Sequence, residues 1–278
     1  MNIVRPFSTK IFLDSASLDE IQEAKEALGF LDGITTNPTL LGKVLDHETF
    51  TQAELVARYG EHVTAMYEIL PDGDISMEVY SDESTSRDDM LSQAEKYLSM
   101  CPRVFVKFPT TTIGLDAATM WAKRGHNVNM TLVASVEQAY LVHTALSPYT
   151  TETQYHYLSP FIGRREDYSQ DGEVFLRDIA RLYKTLHSPI RILAASIRTW
   201  DQCAIALSYH VDVITAPSFV LLELASKKTG LIIPSQGLDP YSQEDLENIV
   251  LSAHIEHPVT KLGQQKFSED WKKMLKGF

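Results

Sequence analysis

The feature that most limits what this chain can fold into is a rhythm. Short apolar segments return along its length, and each is followed by a stretch with helical periodicity. The strand-like segments are Ile11–Asp14, Gly33–Asn37, Ile75–Tyr80, Val104–Phe108, Val128–Val133, Tyr157–Gly163, Arg191–Ile197 and Val213–Pro217. Ser17-Leu-Asp-Glu20, Ser135-Val-Glu-Gln138 and Thr199-Trp-Asp-Gln202 read as capping boxes opening helices between them. After Gly172, residues Phe175, Ile179, Leu182 and Leu186 share one helical face. Strand–helix alternation of this regularity implies an α/β fold with a parallel sheet. Repeated eight times, it points to a closed (β/α)8 TIM barrel, although counting alone leaves a doubly wound open sheet standing.

Neither a linker nor a low-complexity tract splits the chain, so residues 1–278 read as one barrel domain, with 230–278 a helical C-terminal extension. The connection from Asn37 to Ile75 looks helical around Glu48–Arg58 and again around Glu61–Leu70. Phe219–Lys227 completes the barrel cycle, and the tail offers helices at Ser242–His257 and Ser268–Lys276. Whether that tail caps the barrel mouth or joins the subunits of a homo-oligomer stays open.

Composition narrows the function. With 25 basic against 37 acidic residues the net charge is −12, which disfavours a nucleic-acid partner, since phosphate backbones call for clustered Lys and Arg. A phosphorylated metabolite needs only two or three local donors and stays compatible. The segment Met1 to Lys10 lacks the apolar core of a signal peptide, and no apolar run is long enough to cross a bilayer. A cytoplasmic protein without a membrane partner is expected. Cys101 and Cys203 then read as reduced, buried thiols.

Strand parity carries the chemistry. In Val128-Asn129-Met130-Thr131-Leu132 the apolar residues share one face and the polar ones the other. Val128, Met130 and Leu132 should face the helices, and Asn129 and Thr131 the barrel lumen. Ser159 and Phe161 share a face, as do Ser196 and Arg198. Asp14, Asn37, Glu78 and Lys107 sit at or near the C-terminal ends of their runs, the end where barrel enzymes keep catalytic groups.

Lys107 has apolar neighbours on both sides, in Val104-Phe-Val-Lys-Phe-Pro109. Burial disfavours an ammonium, and a neutral amine attacks a ketone to give a Schiff base; equally, a strand-end lysine can snorkel to water. Carboxylates at the same mouth, Asp14 and Glu78, suit the proton transfers of Schiff-base formation. Singly, Asp14 could cap a helix and Glu78 could pair with an arginine. Arg164 and Arg198 with Ser196 suit a phosphate, through bidentate hydrogen bonds; each arginine could also be a surface ion-pair partner. Asn37 and Asn129 suit sugar hydroxyls or turns. His254-Ile-Glu-His257 has the wrong spacing for a zincin helix. No metal and no organic cofactor is expected.

Six motifs, in order, resemble those of the transaldolase family. They are Phe12-Leu-Asp-Ser-Ala16, Gly33-Ile-Thr-Thr-Asn-Pro-Thr-Leu40, Val104-Phe-Val-Lys-Phe-Pro109, Asn127-Val-Asn-Met-Thr-Leu132, Leu158-Ser-Pro-Phe-Ile-Gly-Arg164 and Leu193-Ala-Ala-Ser-Ile-Arg198. The likeness spans roughly Phe12 to Pro217. It implies a (β/α)8 barrel and a metal-free class I aldolase mechanism acting on phosphorylated sugars, as in the pentose phosphate pathway. It implies Lys107 as the Schiff-base lysine, Asp14 as the acid/base, and Glu78 with Thr131 as the pair that positions a water. Asn37, Asn129 and Ser159 match substrate-binding positions, and Arg164, Ser196 and Arg198 the phosphate site.

The family also contains fructose-6-phosphate aldolases, which tend to carry Gln at the position of Glu78 and Tyr at that of Phe161. A carboxylate and a phenyl ring resemble the transaldolase side. An aldolase releasing free dihydroxyacetone, and a non-catalytic sugar-phosphate-binding protein, are the alternatives. Ile197 stands where Phe is usual, and the stretch before the third strand and the tail after Gly230 are longer than in the shortest members.

Overall fold

A computed structural model describes residues 5–45, 48–168 and 170–277 of the chain. Residues 1–4, which begin the N-terminal segment discussed above, lie outside them. The strands are β1 (Lys10–Asp14), β2 (Gly33–Thr35), β3 (Asp74–Glu78), β4 (Phe105–Pro109), β5 (Val128–Val133), β6 (His156–Pro160), β7 (Arg191–Ala194) and β8 (Val213–Ala216). They pair in parallel in chain order, and β8 returns to β1 to close the barrel. The open sheet is thereby ruled out. The helices are α1 (Leu18–Leu28), α2 (Pro38–Val44), α3 (Gln52–Ile69), α4 (Arg87–Met100), α5 (Thr112–Lys123), α6 (Val136–Leu146), α7 (Ile162–Glu166), α8 (Gly172–Thr185), α9 (Trp200–Ser208), α10 (Ser218–Lys227), α11 (Gln243–Ser252) and α12 (Pro258–Lys273).

Side-chain alternation places the core in two shells. Ile11, Leu13, Ile34, Met77, Val106, Met130, Leu158 and Ile214 join the helix-facing cluster. Phe12, Phe105, Tyr157, Leu193 and Val213 fill the barrel from within. The strands therefore bury both faces, as parallel barrel strands must.

Leu132 departs from its expected outward position. It takes a left-handed φ of 61°, where the register between β5 and β6 shifts. The irregularity turns its side chain inward, beside Phe161 and Phe267. Such a backbone costs about 1–2 kcal/mol in an L-residue; the Thr260 hydroxyl of α12 donates to the Leu132 carbonyl at 2.8 Å and helps hold it.

Helix starts differ in a consistent way from the sequence reading. Ser17, Ser135 and Thr199 do cap α1, α6 and α9. The reciprocal half of each box is used elsewhere: Glu20 binds the Ser15 hydroxyl, Gln138 accepts from Ala134 N, and Gln202 from Arg198 N. Reciprocal boxes occur instead at Thr51/Glu54, Ser86/Asp89 and Ser242/Asp245. The two segments expected between Asn37 and Ile75 form one helix, α3, running through Gly60. A β-carbon at Gly60 would lie 2.3 Å from the Met100 sulfur, so close packing on α4 offsets glycine's poor helix propensity. Helix α2 was not expected, and it ends β2 early because Asn37 caps it ahead of Pro38. In the tail, α11 ends at Ser252, and α12 begins at Pro258 rather than at Ser268. No helix of the described residues is long and apolar enough to cross a membrane.

Candidate active site

The C-terminal ends of the strands open into a cavity of about 320 Å³. Lys107, in the middle of β4, reaches its floor with only 3% of its surface exposed. Its register partners are Glu78 on β3 and Asn129 on β5. Lys107 Nζ lies 3.0 Å from Glu78 Oε2 and donates to the Thr36 carbonyl at 2.9 Å. Burial pushes the Glu78 carboxyl upward, and the neighbouring Lys107 charge opposes it. Thr131 Oγ1 is buried with no hydrogen-bond partner among the described residues, whereas the buried Glu78 Oε2 meets only the Lys107 amine named above. Glu78 sits behind Lys107, whereas Thr131 lines the cavity.

Asp14, at the end of β1, faces the cavity from the adjacent wall. Thr35 donates to its Oδ1 at 2.7 Å. Having one proton, the Thr35 hydroxyl must accept from Thr215, 2.6 Å away. Burial raises the Asp14 carboxyl, against the lowering effects of Lys107 and of the Thr35 hydrogen bond.

Asn129 ties the lumen together. It accepts from Ser159 at 2.6 Å and donates to the Ser76 hydroxyl at 3.2 Å. Asn37 serves two ends at once: its Oδ1 accepts from Leu40 N at 3.0 Å as the α2 cap, and the residue also lines the cavity.

The far wall is cationic. Arg164 lies between the rings of Phe161 (5.2 Å) and Phe267 (5.1 Å), and its Nη1 is buried without a partner among the described residues. Burial lowers its pKa. Ser196, with a left-handed φ of 57°, and Arg198 line the same wall. Arg198 Nη2 donates to Asp167 Oδ2 at 2.8 Å, and this pairing holds the Asp167 carboxyl below its usual range. Arg165 points elsewhere: it binds the Ala134 carbonyl and stacks on Phe175 at 4.3 Å.

The cavity thus gathers Asp14, Asn37, Lys107, Thr131, Ser159, Phe161, Arg164, Ser196 and Arg198, with Glu78 and Asn129 buried on either side of Lys107 in the sheet. Sequence reading missed Thr35, Thr215, Lys43, Lys266 and Phe267, which also line it. Thr35 and Thr215 shared the inward parity and were findable. Lys266 and Phe267 belong to α12, which no local pattern assigned to the mouth. That helix lies against the site through Thr260, Gly263, Phe267 and Trp271, all buried and on one face. A β-carbon at Gly263 would come within 2.5 Å of Arg164 Nη1, so a larger residue there would displace the end of the Arg164 side chain. A larger groove of about 860 Å³ runs along the outer side of α12. Its Glu83, Glu256, Lys261 and Glu269 are exposed, and it holds none of the buried, unpaired polar atoms described above. No group of three or more His, Cys, Asp or Glu among the described residues is arranged to hold a metal ion.

Comparison with known proteins identifies the family. The family model described as "Transaldolase/Fructose-6-phosphate aldolase" matches residues 11–278. The chain belongs to that family. It is 31% identical to a probable transaldolase of Dehalococcoides mccartyi, over 96% of this chain and 100% of the relative. Probable transaldolases of Thermus thermophilus and Bacteroides thetaiotaomicron are each 32% identical, over 95% of this chain and 99% of theirs.

Proposed function

We propose that this family member is a transaldolase, moving a dihydroxyacetone unit from a ketose phosphate to an aldose phosphate through a Schiff base on Lys107. One observation supports the reading above all: a buried lysine amine beside a carboxylate, with a second carboxylate and two arginines around one cavity. The Lys107 amine attacks the ketose C2 carbonyl, and the carbinolamine loses water, with Glu78 and Thr131 holding the water that relays protons. The raised Asp14 carboxyl suits a base that must also return its proton. Asp14 takes the proton of the C4 hydroxyl as the C3–C4 bond breaks and the aldose phosphate leaves. The three-carbon enamine stays on Lys107. It then adds to an acceptor aldehyde, Asp14 protonates the new hydroxyl, and water hydrolyses the imine. Arg164, Ser196 and Arg198 hold the phosphate of donor and acceptor in turn. Phe161 offers the enamine no proton, so it waits for an acceptor.

Fructose 6-phosphate as donor and erythrose 4-phosphate as acceptor are the pair to test. Borohydride reduction with fructose 6-phosphate, followed by peptide mass mapping, should place a dihydroxyacetone-sized adduct on Lys107, and Lys107→Met should carry none. An adduct on another lysine would overturn the mechanism. Steady release of free dihydroxyacetone without acceptor would favour the aldolase reading instead.

A further inference from the structure

The ion pair at the cavity floor is braced from outside the barrel. Tyr59 belongs to α3, in the helical layer, and is fully buried. Its hydroxyl reaches Thr36, just past the end of β2, and Glu78, at the end of β3. Glu78 N donates to Tyr59 Oη at 3.2 Å, and Tyr59 Oη is in hydrogen-bond contact with Thr36 Oγ1. The Thr36 hydroxyl in turn donates to the Ser76 carbonyl at 3.0 Å. Each hydroxyl has one proton, so the direction is forced: Glu78 N–H to Tyr59, Tyr59 to Thr36, Thr36 to Ser76. Burial pushes the Tyr59 phenol above its ordinary value, so it keeps the proton that this chain requires.

The consequence falls on Thr36, whose carbonyl accepts the Lys107 amine at 2.9 Å. Its own N–H also donates to the Ser76 carbonyl, at 3.1 Å. The orientation of that carbonyl is therefore set by Thr36's two bonds to Ser76 and by Tyr59 behind them. The same phenol anchors the backbone of Glu78, whose side chain meets Lys107 at 3.0 Å. Tyr59 is itself held edge-on by Tyr97, with centroids 5.6 Å apart, and by Trp271 of α12 at 6.2 Å.

We infer that Tyr59, acting through Thr36, is a positioning residue that sets where the Lys107 amine stands relative to Glu78. The inference rests on the Schiff-base reading above. It names a residue outside the cavity, on a different layer of the fold from the groups it controls.

The test uses the full chain with Tyr59→Phe, Thr36→Val, Thr36→Ser and Tyr97→Phe. Steady-state kinetics across pH and borohydride trapping with fructose 6-phosphate are read for each. Displacing a reacting group by a fraction of an ångström to an ångström costs on the order of tenfold to a hundredfold in rate. Tyr59→Phe and Thr36→Val should lose about that much in kcat and in trapping rate, with KM within a factor of about two and a displaced pH profile. Thr36→Ser restores the hydroxyl and should stay near wild type. Tyr97→Phe removes a phenol that donates to the Glu78 carbonyl at 3.3 Å but has no link to Thr36, and should leave the pH profile unmoved. The inference fails if Tyr59→Phe keeps the wild-type kcat and pH profile. It also fails if Tyr59→Phe and Tyr97→Phe lose rate equally with unchanged profiles, since that is packing alone. Wild-type protein that traps no adduct on Lys107 would overturn the Schiff-base reading and this inference together. Wild-type trapping with an indifferent Tyr59→Phe would overturn this inference only.

Discussion

Asp74 and Glu78 begin and end the same strand, and they meet opposite surroundings. At the N-terminal end of the barrel, Asp74 accepts from Tyr155 at 2.9 Å, from Tyr157 at 2.6 Å and from Lys10 at 3.2 Å. The rings of Phe12, Phe105, Tyr155 and Tyr157 pack edge-on or tilted around that knot, and Arg191 stacks on Tyr155 at 3.8 Å. At the C-terminal end, Glu78 meets the Lys107 amine, while Thr131 and Arg164 each leave a buried polar atom without a hydrogen-bond partner among the described residues. A buried polar group left unpaired costs roughly 1–3 kcal/mol, so the mouth is held at a free-energy cost that the floor helps offset. The floor closes the barrel; the mouth keeps hydrogen-bonding capacity for something that is not protein. Local destabilisation of this kind is what active sites trade for function.

Exchanging the character of the two ends is the sharpest way to test that contrast. Asp14→Asn should have the largest effect, lowering kcat on the order of 10²–10⁴-fold in an assay with donor and acceptor. Its stability should move the other way. Burial raises the Asp14 pKa in the folded protein, so the folded state holds a proton that the unfolded chain has given up. The associated stability is present at low pH and falls as pH rises from the ordinary carboxylate range through the folded pKa. Asn does not titrate, so the excess of the variant's melting temperature over wild type should widen with rising pH. A difference that narrows would contradict the sign.

Asp74→Ala attacks the floor. It strands two tyrosine hydroxyls, one of them on fully buried Tyr157, and should cost about 2–4 kcal/mol in a denaturant titration. Turnover of the folded fraction should stay close to wild type. If kcat falls as steeply as stability, the two ends are not separable. Gly263→Ala is the mildest probe. It brings a methyl group against Arg164 and Leu132, so α12 or the guanidinium must shift. KM for a phosphorylated donor should rise several-fold, a change of about 1 kcal/mol, with kcat little affected. An unchanged KM would mean that α12 does not shape the cationic wall.

Much of the barrel could be read from residue type and spacing, because local rules decide it. Strand parity separated Asn129 and Thr131 from Val128 and Met130, and the two faces of β5 sort that way. The motifs around Asp14, Asn37, Lys107, Ser159 and Arg198 lie on strands or directly after them, so the topology brings them to one mouth. What escaped depends on contacts distant in the chain. Leu132 obeys parity in sequence but is turned inward by a bulge whose carbonyl is bound by Thr260. Gly60 falls in the gap between the two helical stretches expected from sequence, and its packing on Met100 explains why α3 continues. Lys266 and Phe267 enter the cavity because α12 folds back across it. Tyr59 lies in the buried core; its hydroxyl gains meaning only beside Thr36 and Glu78.

The placement of α12 also sets an order of events. A polypeptide leaves the ribosome from its N-terminus onward, and Gly263 and Phe267 emerge after all eight strands. The eight strands bring Asp14, Glu78 and Lys107 together, and Phe267 of the last-made helix covers one side of Arg164. Lys107 and the groups around it lie on segments made earlier, and α12, the last helix of the described residues, supplies the remaining wall of the cavity.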